Sequence, residues 1–169
     1  MREIPKKNYI IFALVIIVSL GIVAYCVRWY QMSQSVEKSN VMDGVVSELK
    51  SDELSSYLLD NPNVIVYLAP SDSTENKSLE DELHDLIIRK ELTNEFIYLD
   101  SSMITDSSIY DDYEDKYLSD TLKNQSIALS VTPNLWYFRD GKIMDVMNTV
   151  SRVSSIQDVE HFLDKNGVY

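Results

Sequence analysis

Twenty consecutive residues without a charge, Asn8 to Val27 (NYIIFALVIIVSLGIVAYCV), constrain this chain more than any other feature. As a helix rising 1.5 Å per residue they span roughly 30 Å, the thickness of a bilayer's hydrocarbon core. A helix apolar on every face over that length does not suit a small domain, whose helices keep one face wet. Trp29 and Tyr30 follow where an interfacial aromatic belt belongs, and Arg28 marks the edge. A cleaved signal peptide also starts basic and then apolar, but its apolar run is about 7–15 residues and ends in a small-x-small site. Val23-Ala24-Tyr25-Cys26 loosely matches a lipoprotein signal, with Tyr25 where a small residue is wanted. The reading is an uncleaved anchor. Arg2, Lys6 and Lys7 before the span outnumber Arg28 and Lys38 after it, which places the N-terminus in the cytoplasm. The organisation expected is a cytoplasmic tip over residues 1–7, a transmembrane helix over 8–28, a stalk over 29–42 and an extracytoplasmic domain over 43–169. The membrane lipid is the first partner this implies.

The rest of the composition agrees with one domain plus an appendage in 169 residues. The tip carries three basic groups and one acidic group, a net +2, whereas the remainder carries 12 basic and 26 acidic groups, a net -14. An acidic domain with a chain pI near 4.5 argues against nucleic acid, which needs a basic surface. A hydrophobic fraction of 45% excludes a disordered chain. The single cysteine, Cys26, lies within the span and excludes an intrachain disulfide and a Cys-based zinc cluster.

Past the stalk, Val45–Leu49 alternates like a short strand, and Ser51 can cap a helix over Asp52–Leu59 with Leu54, Leu58 and Leu59 as its apolar stripe. Val64–Ala69 is a continuous apolar run, as in a strand buried on both faces. A loop rich in turn residues leads to a helix over Glu75–Leu92, its stripe formed by Leu79, Leu83, Leu86, Ile87 and Ile88. Phe96–Leu99 is a second buried strand. A polar loop and an acidic helix over Tyr110–Leu122 follow. Asn134–Phe138 and Ile143–Met147 are strands joined through Asp140-Gly141, a strong hairpin signal. Ser155–Lys165 is an amphipathic helix that Asn166-Gly167 ends. Strands alternating with helices predict parallel pairing, and the hairpin adds antiparallel strands. The expected class is α/β, a mixed sheet with helices on both faces.

This order resembles the thioredoxin fold over roughly residues 43–167. Three features carry the likeness: the Val131-Thr132-Pro133 stretch before a strand, a turn Gly141 and Lys142; the strand Val64–Ala69 running through a loop into a long helix; and the last helix, ending Phe162-Leu163-Asp164-Lys165. The long acidic stretch Asp100–Ser130 is similar to that of bacterial thioredoxin-like proteins associated with bacteriocin export. The resemblance implies a cis peptide at Thr132-Pro133 beside a peptide-facing groove. It also places the family's Cys-x-x-Cys within Ser71–Lys77, at Asp72/Glu75 or at Ser73/Asn76. Neither register holds a cysteine, and thiol-disulfide exchange requires a thiolate.

Other chemistry finds little footing. His84 and His161 lie on different helices without a second His at i+4, so no metal site is expected. The loop from Asp72 lacks the Gly and the bidentate Glu of a calcium loop. Asp111, Asp112, Glu114, Asp115 and Asp120 read as a solvated acidic face that could hold a cation weakly. Neither a nucleophile motif nor a phosphate loop occurs, and no cofactor is expected. Tyr110, Tyr113 and Tyr117 share one helix face, suiting either core packing or a strip that docks a partner. The functional expectation is a redox-inactive thioredoxin-like module for protein or peptide binding, accessory or assembly work, within reach of a membrane complex. The alternative is an atypical thiol-disulfide oxidoreductase or chaperone-like enzyme of the same family.

Overall fold

The structure, a computed structural model, describes residues 15–28, 41–42, 44–125, 127–148 and 154–169. Residues 15–28 are helical (α1). Among the described residues no helix is long and apolar enough to cross a membrane. The basic tip, the first residues of the apolar run and residues 29–40 of the expected stalk lie outside the described residues. Residues 1–39 and 40–169 are separate units, and the second contains the sheet.

That sheet is built on the two apolar runs. β2 (Val64–Ala69) and β3 (Phe96–Asp100) are buried at every position. Only a strand covered on both faces can be apolar without alternation. β1 (Ser47–Leu49) pairs parallel to β3, and β3 pairs parallel to β2. β4 (Asn134–Arg139) runs antiparallel to β2, and β5 (Lys142–Val146) antiparallel to β4. The order is β1-β3-β2-β4-β5. One face packs Val64, Val66, Leu68 and Trp136 against α2 (Leu54–Asp60), α4 (Ser108–Tyr117) and α5 (Asp120–Lys123). The opposite face packs Ile65, Tyr67, Tyr98 and Leu135 against α3 (Lys77–Arg89) and α6 (Ile156–Lys165). This is the mixed, helix-flanked sheet of a thioredoxin-like fold, an assignment that rests on strand order and register.

Several local expectations are corrected. β1 starts at Ser47, because the N–H groups of Val45 and Val46 bond to the Met42 carbonyl in a turn. α2 starts at Leu54, and Ser51 does not cap it; the Ser51 carbonyl instead accepts from the Tyr113 hydroxyl at 2.6 Å. Leu59 is 84% exposed and Ile88 51%, since each lies one residue past the buried stripe of its helix. The acidic helix over Tyr110–Leu122 is two helices. Leu118 turns extended and bridges to Ile143, and the Ser119 N–H bonds to the Ile143 carbonyl at 3.0 Å, covering the outer edge of β5. Asp140 and Gly141 both have positive φ, 53° and 71°, as a two-residue hairpin turn between right-twisted strands requires. Ser155 and Asp158 form a reciprocal capping box at the start of α6.

Candidate functional site

Register brings three loops to one end of the sheet. Leu68 of β2 pairs with Asn134 of β4, so Ala69 and Pro133 stand next outward on neighbouring strands. Ala69 also pairs with Asp100, the last residue of β3. The loop after β2, the turn after β3 and the residues before β4 therefore share an edge, and α3 begins there.

The loop is anchored through Asp100. Its Oδ1 accepts from the Ser71 N–H at 3.0 Å, the Ser102 N–H at 2.9 Å and the Ser102 hydroxyl at 2.7 Å. Burial opposes the charge, but the donors of Ser102 and Ser71 outweigh it and hold the carboxyl below the ordinary aspartate range. Within the loop, Asp72 and Glu75 are both exposed, whereas Ser73 is half-buried and Asn76 is 4% exposed. Of the two registers, Ser73/Asn76 thus pairs an accessible residue with an enclosed one.

Beneath the loop, Glu80 of α3 is buried and accepts from the Tyr67 hydroxyl at 3.1 Å. Tyr98 donates to the Ala69 carbonyl at 2.8 Å. Burial raises the Glu80 carboxyl, an effect only partly offset by the Tyr67 hydroxyl. Burial first, then the neighbouring carboxylate charges, push both phenols far above the ordinary tyrosine value. These groups tie α3 to the sheet and reach no thiol.

The Thr132-Pro133 peptide is cis. A buried amide network backs it. The Asn134 side chain accepts from the N–H groups of Leu135 and Asn148 and donates to the Asn148 carbonyl, each at 2.9 Å. Asn148 Nδ2 donates to the Pro133 carbonyl at 2.7 Å and to the Ser154 hydroxyl at 2.6 Å. All three side chains are buried. Thr132 itself is half-buried, and among the described residues neither its N–H nor its carbonyl is hydrogen-bonded.

Two grooves open near this end. One of about 220 Å³ lies between the starts of α3 and α6, walled by Glu75, Ser78, Leu79 and Glu82 on one side and residues 154–157 on the other. A larger one of about 560 Å³ lies between the start of α2 and α4. There the polar groups pair internally: Tyr113 with the Ser51 carbonyl, and Ser55 with Lys116 and with Tyr117. Burial, then the neighbouring Tyr117 and Tyr110, push the Tyr113 phenol up to about 12.

The tyrosine stripe is corrected by this packing. Tyr110, Tyr113 and Tyr117 are at most 9% exposed, and Tyr113 and Tyr117 stack edge-on against Trp136 and Phe138 of the sheet, so the stripe is core and presents no docking strip. In the acidic cluster, Glu114 accepts from the Leu129 N–H at 3.0 Å, while Asp111, Asp112, Asp115 and Asp120 are exposed. Among the described residues no group of three carboxylate, His or Cys side chains is placed to hold a metal. Asn134, Asn148, Ser154, Tyr67 and Glu80 do not stand out in the sequence as site residues. The one available signal is a polar residue at the edge of an apolar run, as at Asn134 and Asp100.

No family model and no curated protein matches the chain. Among solved structures it is similar to oxidised mitochondrial thioredoxin 3 of Saccharomyces cerevisiae, at 12% identity over 71% of this chain and 94% of that one, with a TM-score of 0.48. It is also similar to a protein with a thioredoxin fold (15% identity, 71% and 95% coverage, TM-score 0.47). Oxidised thioredoxin O2 of Arabidopsis thaliana is a third (14% identity, 73% and 96% coverage, TM-score 0.45). These likenesses concern the course of the chain and carry nothing about activity.

Proposed function

We propose that this chain is a membrane-anchored thioredoxin-like protein that holds an extended protein segment on the outer face of the membrane without thiol chemistry, as an accessory or assembly module. The observation that carries the reading is Thr132: a backbone N–H and carbonyl without partners among the described residues, beside a proline whose own carbonyl is clamped from behind by Asn148. An extended peptide meets such a backbone by strand addition, exchanging main-chain hydrogen bonds. The absence of cysteine beyond Cys26 leaves residues 40–169 without a thiolate, so the same end of the sheet is read as a binding surface. The uncharged run from Asn8 to Val27 and the basic residues before it support the anchor and its orientation.

A photoreactive amino acid at position 73 of the full-length chain tests the reading in cells. It is expected to yield a discrete polypeptide adduct that the same probe at Leu59, exposed on α2, does not. Identical adduct patterns from the two positions would count against it. Insulin reduction by the full-length chain is expected to stay at background, and turnover above background would favour the oxidoreductase reading.

A further inference from the structure

We propose that Glu80 is a proton-operated latch: with its carboxyl protonated, the first turn of α3 and the loop over residues 70–76 stay docked on the sheet, and ionisation frees them. As regulation of the end that holds the peptide it rests on that reading, whereas the latch itself is a property of the free chain. Glu80 is 6% exposed, and among the described residues its carboxyl takes part in one hydrogen bond, from the Tyr67 hydroxyl at 3.1 Å. A second phenol is close, with the Tyr98 ring centroid 5.9 Å from that of Tyr67, but the Tyr98 hydroxyl is committed to the Ala69 carbonyl at 2.8 Å. A buried carboxylate with one neutral donor is poorly compensated for the water it has lost, and protonation removes that cost.

The neighbouring groups do not reverse the effect of burial. The Tyr67 hydroxyl favours the charge in part, while on α3 itself Asp81 opposes it more than exposed Lys77 favours it. His84, one turn further along α3, contacts Asp85. From the sheet, Tyr67 and Tyr98 face the carboxyl, and Asp100, Glu48 and Asp72 place further negative charge near Tyr98. On α6, Asp158 is bonded to Ser155 and Glu160 to Arg89. The position of Glu80 couples it to the loop. Its N–H closes the first turn of α3 on the Asn76 carbonyl at 2.9 Å, and Asn76 ends the loop. The loop starts after Ala69, whose carbonyl Tyr98 holds. A carboxylate that moves out to water therefore draws the turn and the end of the loop with it. Opening returns Glu80 to an ordinary glutamate. It becomes easier as pH rises from the ordinary value to the folded one, by at most about tenfold per pH unit, and levels off above.

The test is amide hydrogen exchange by NMR on the full-length chain in nonionic detergent, expressed as protection factors, which remove the intrinsic pH dependence of exchange. Between pH 4 and pH 8 the Glu80 amide is expected to lose protection by at least about threefold. The Lys90 amide, bonded to the Leu86 carbonyl at the far end of α3, is expected to stay constant. Glu80→Gln keeps an acceptor for the Tyr67 hydroxyl without the charge and is expected to abolish the loss. Tyr67→Phe removes the one donor to the carboxylate and is expected to enlarge it. Protection at Glu80 that is independent of pH in the parent chain, or a fall that Glu80→Gln retains or Tyr67→Phe diminishes, overturns the latch. An equal fall at Lys90 overturns it as a local device. None of these results bears on peptide holding, and a latch that passes them in a chain that binds no peptide loses only its regulatory role.

Discussion

Asn148→Ala is the substitution whose cost follows most closely from the geometry. Asn148 is 2% exposed, and its Nδ2 makes two bonds, to the Pro133 carbonyl at 2.7 Å and to the Ser154 hydroxyl at 2.6 Å. Its backbone bonds with the Asn134 side chain do not depend on the side chain that is lost. Alanine thus deletes at least these two neutral hydrogen bonds, each contributing about 0.5–1.5 kcal/mol net, and strands a buried carbonyl. Water admitted to the vacated space recovers part of the penalty, so the expected loss is about 2–4 kcal/mol. With a urea slope of about 2 kcal/mol/M, the middle of the usual range for small proteins, the unfolding midpoint falls by roughly 1–2 M. Equilibrium urea unfolding, followed through the fluorescence of the buried Trp136, measures it. Asn124→Ala is the control: that side chain makes one exposed bond to the Asp120 carbonyl, and its loss is expected to stay within about 0.5 kcal/mol. If Asn148→Ala unfolds within about 0.5 kcal/mol of the parent chain, the amide network does not brace this end of the sheet.

Two further outcomes concern the carboxylates beneath the loop. The Glu80 carboxyl is raised by burial, so its contribution to stability is fully present below the ordinary glutamate pKa and is lost as pH rises through the higher folded value. Glu80→Gln keeps an acceptor for the Tyr67 hydroxyl without the buried charge; the variant is expected to gain in urea midpoint at pH 7 and to match the parent near pH 4. The Asp100 carboxyl is held low, so its contribution is present above the ordinary aspartate pKa and is lost as pH falls through the lower folded value. Asp100→Asn is expected to cost about 1 kcal/mol at pH 7, with the difference vanishing in strong acid when the two are compared by acid titration of stability.

The order of strands and helices was legible because the pattern changes period along the chain. Val64–Ala69 and Phe96–Leu99 could only be strands covered on both faces, and Asp140-Gly141 only a tight hairpin. Boundaries were less legible where tertiary contacts overrule local preference. Tyr113 takes the Ser51 carbonyl and delays α2, and Ile143 captures Leu118 and Ser119 and splits the acidic helix. The loop and the Thr-Pro pair of the candidate site were legible from their place between recognisable elements. The network behind them was not. Asn134, Asn148 and Ser154 become partners only when β4, β5 and the approach to α6 meet, and no local spacing announces that. The tyrosine stripe misled for a related reason: helical spacing shows that three side chains share a face but not which way it turns, and here it turns onto Trp136 and Phe138.

Amide hydrogen exchange at Thr132 tests the central claim most directly. With no partner for its N–H among the described residues, Thr132 is expected to exchange rapidly in the free full-length chain. Adding a short extended peptide that the chain binds is expected to slow that amide by about tenfold or more as strand addition engages it. Exchange at Thr132 that stays unchanged while a peptide is bound would contradict the claim that this backbone holds the partner.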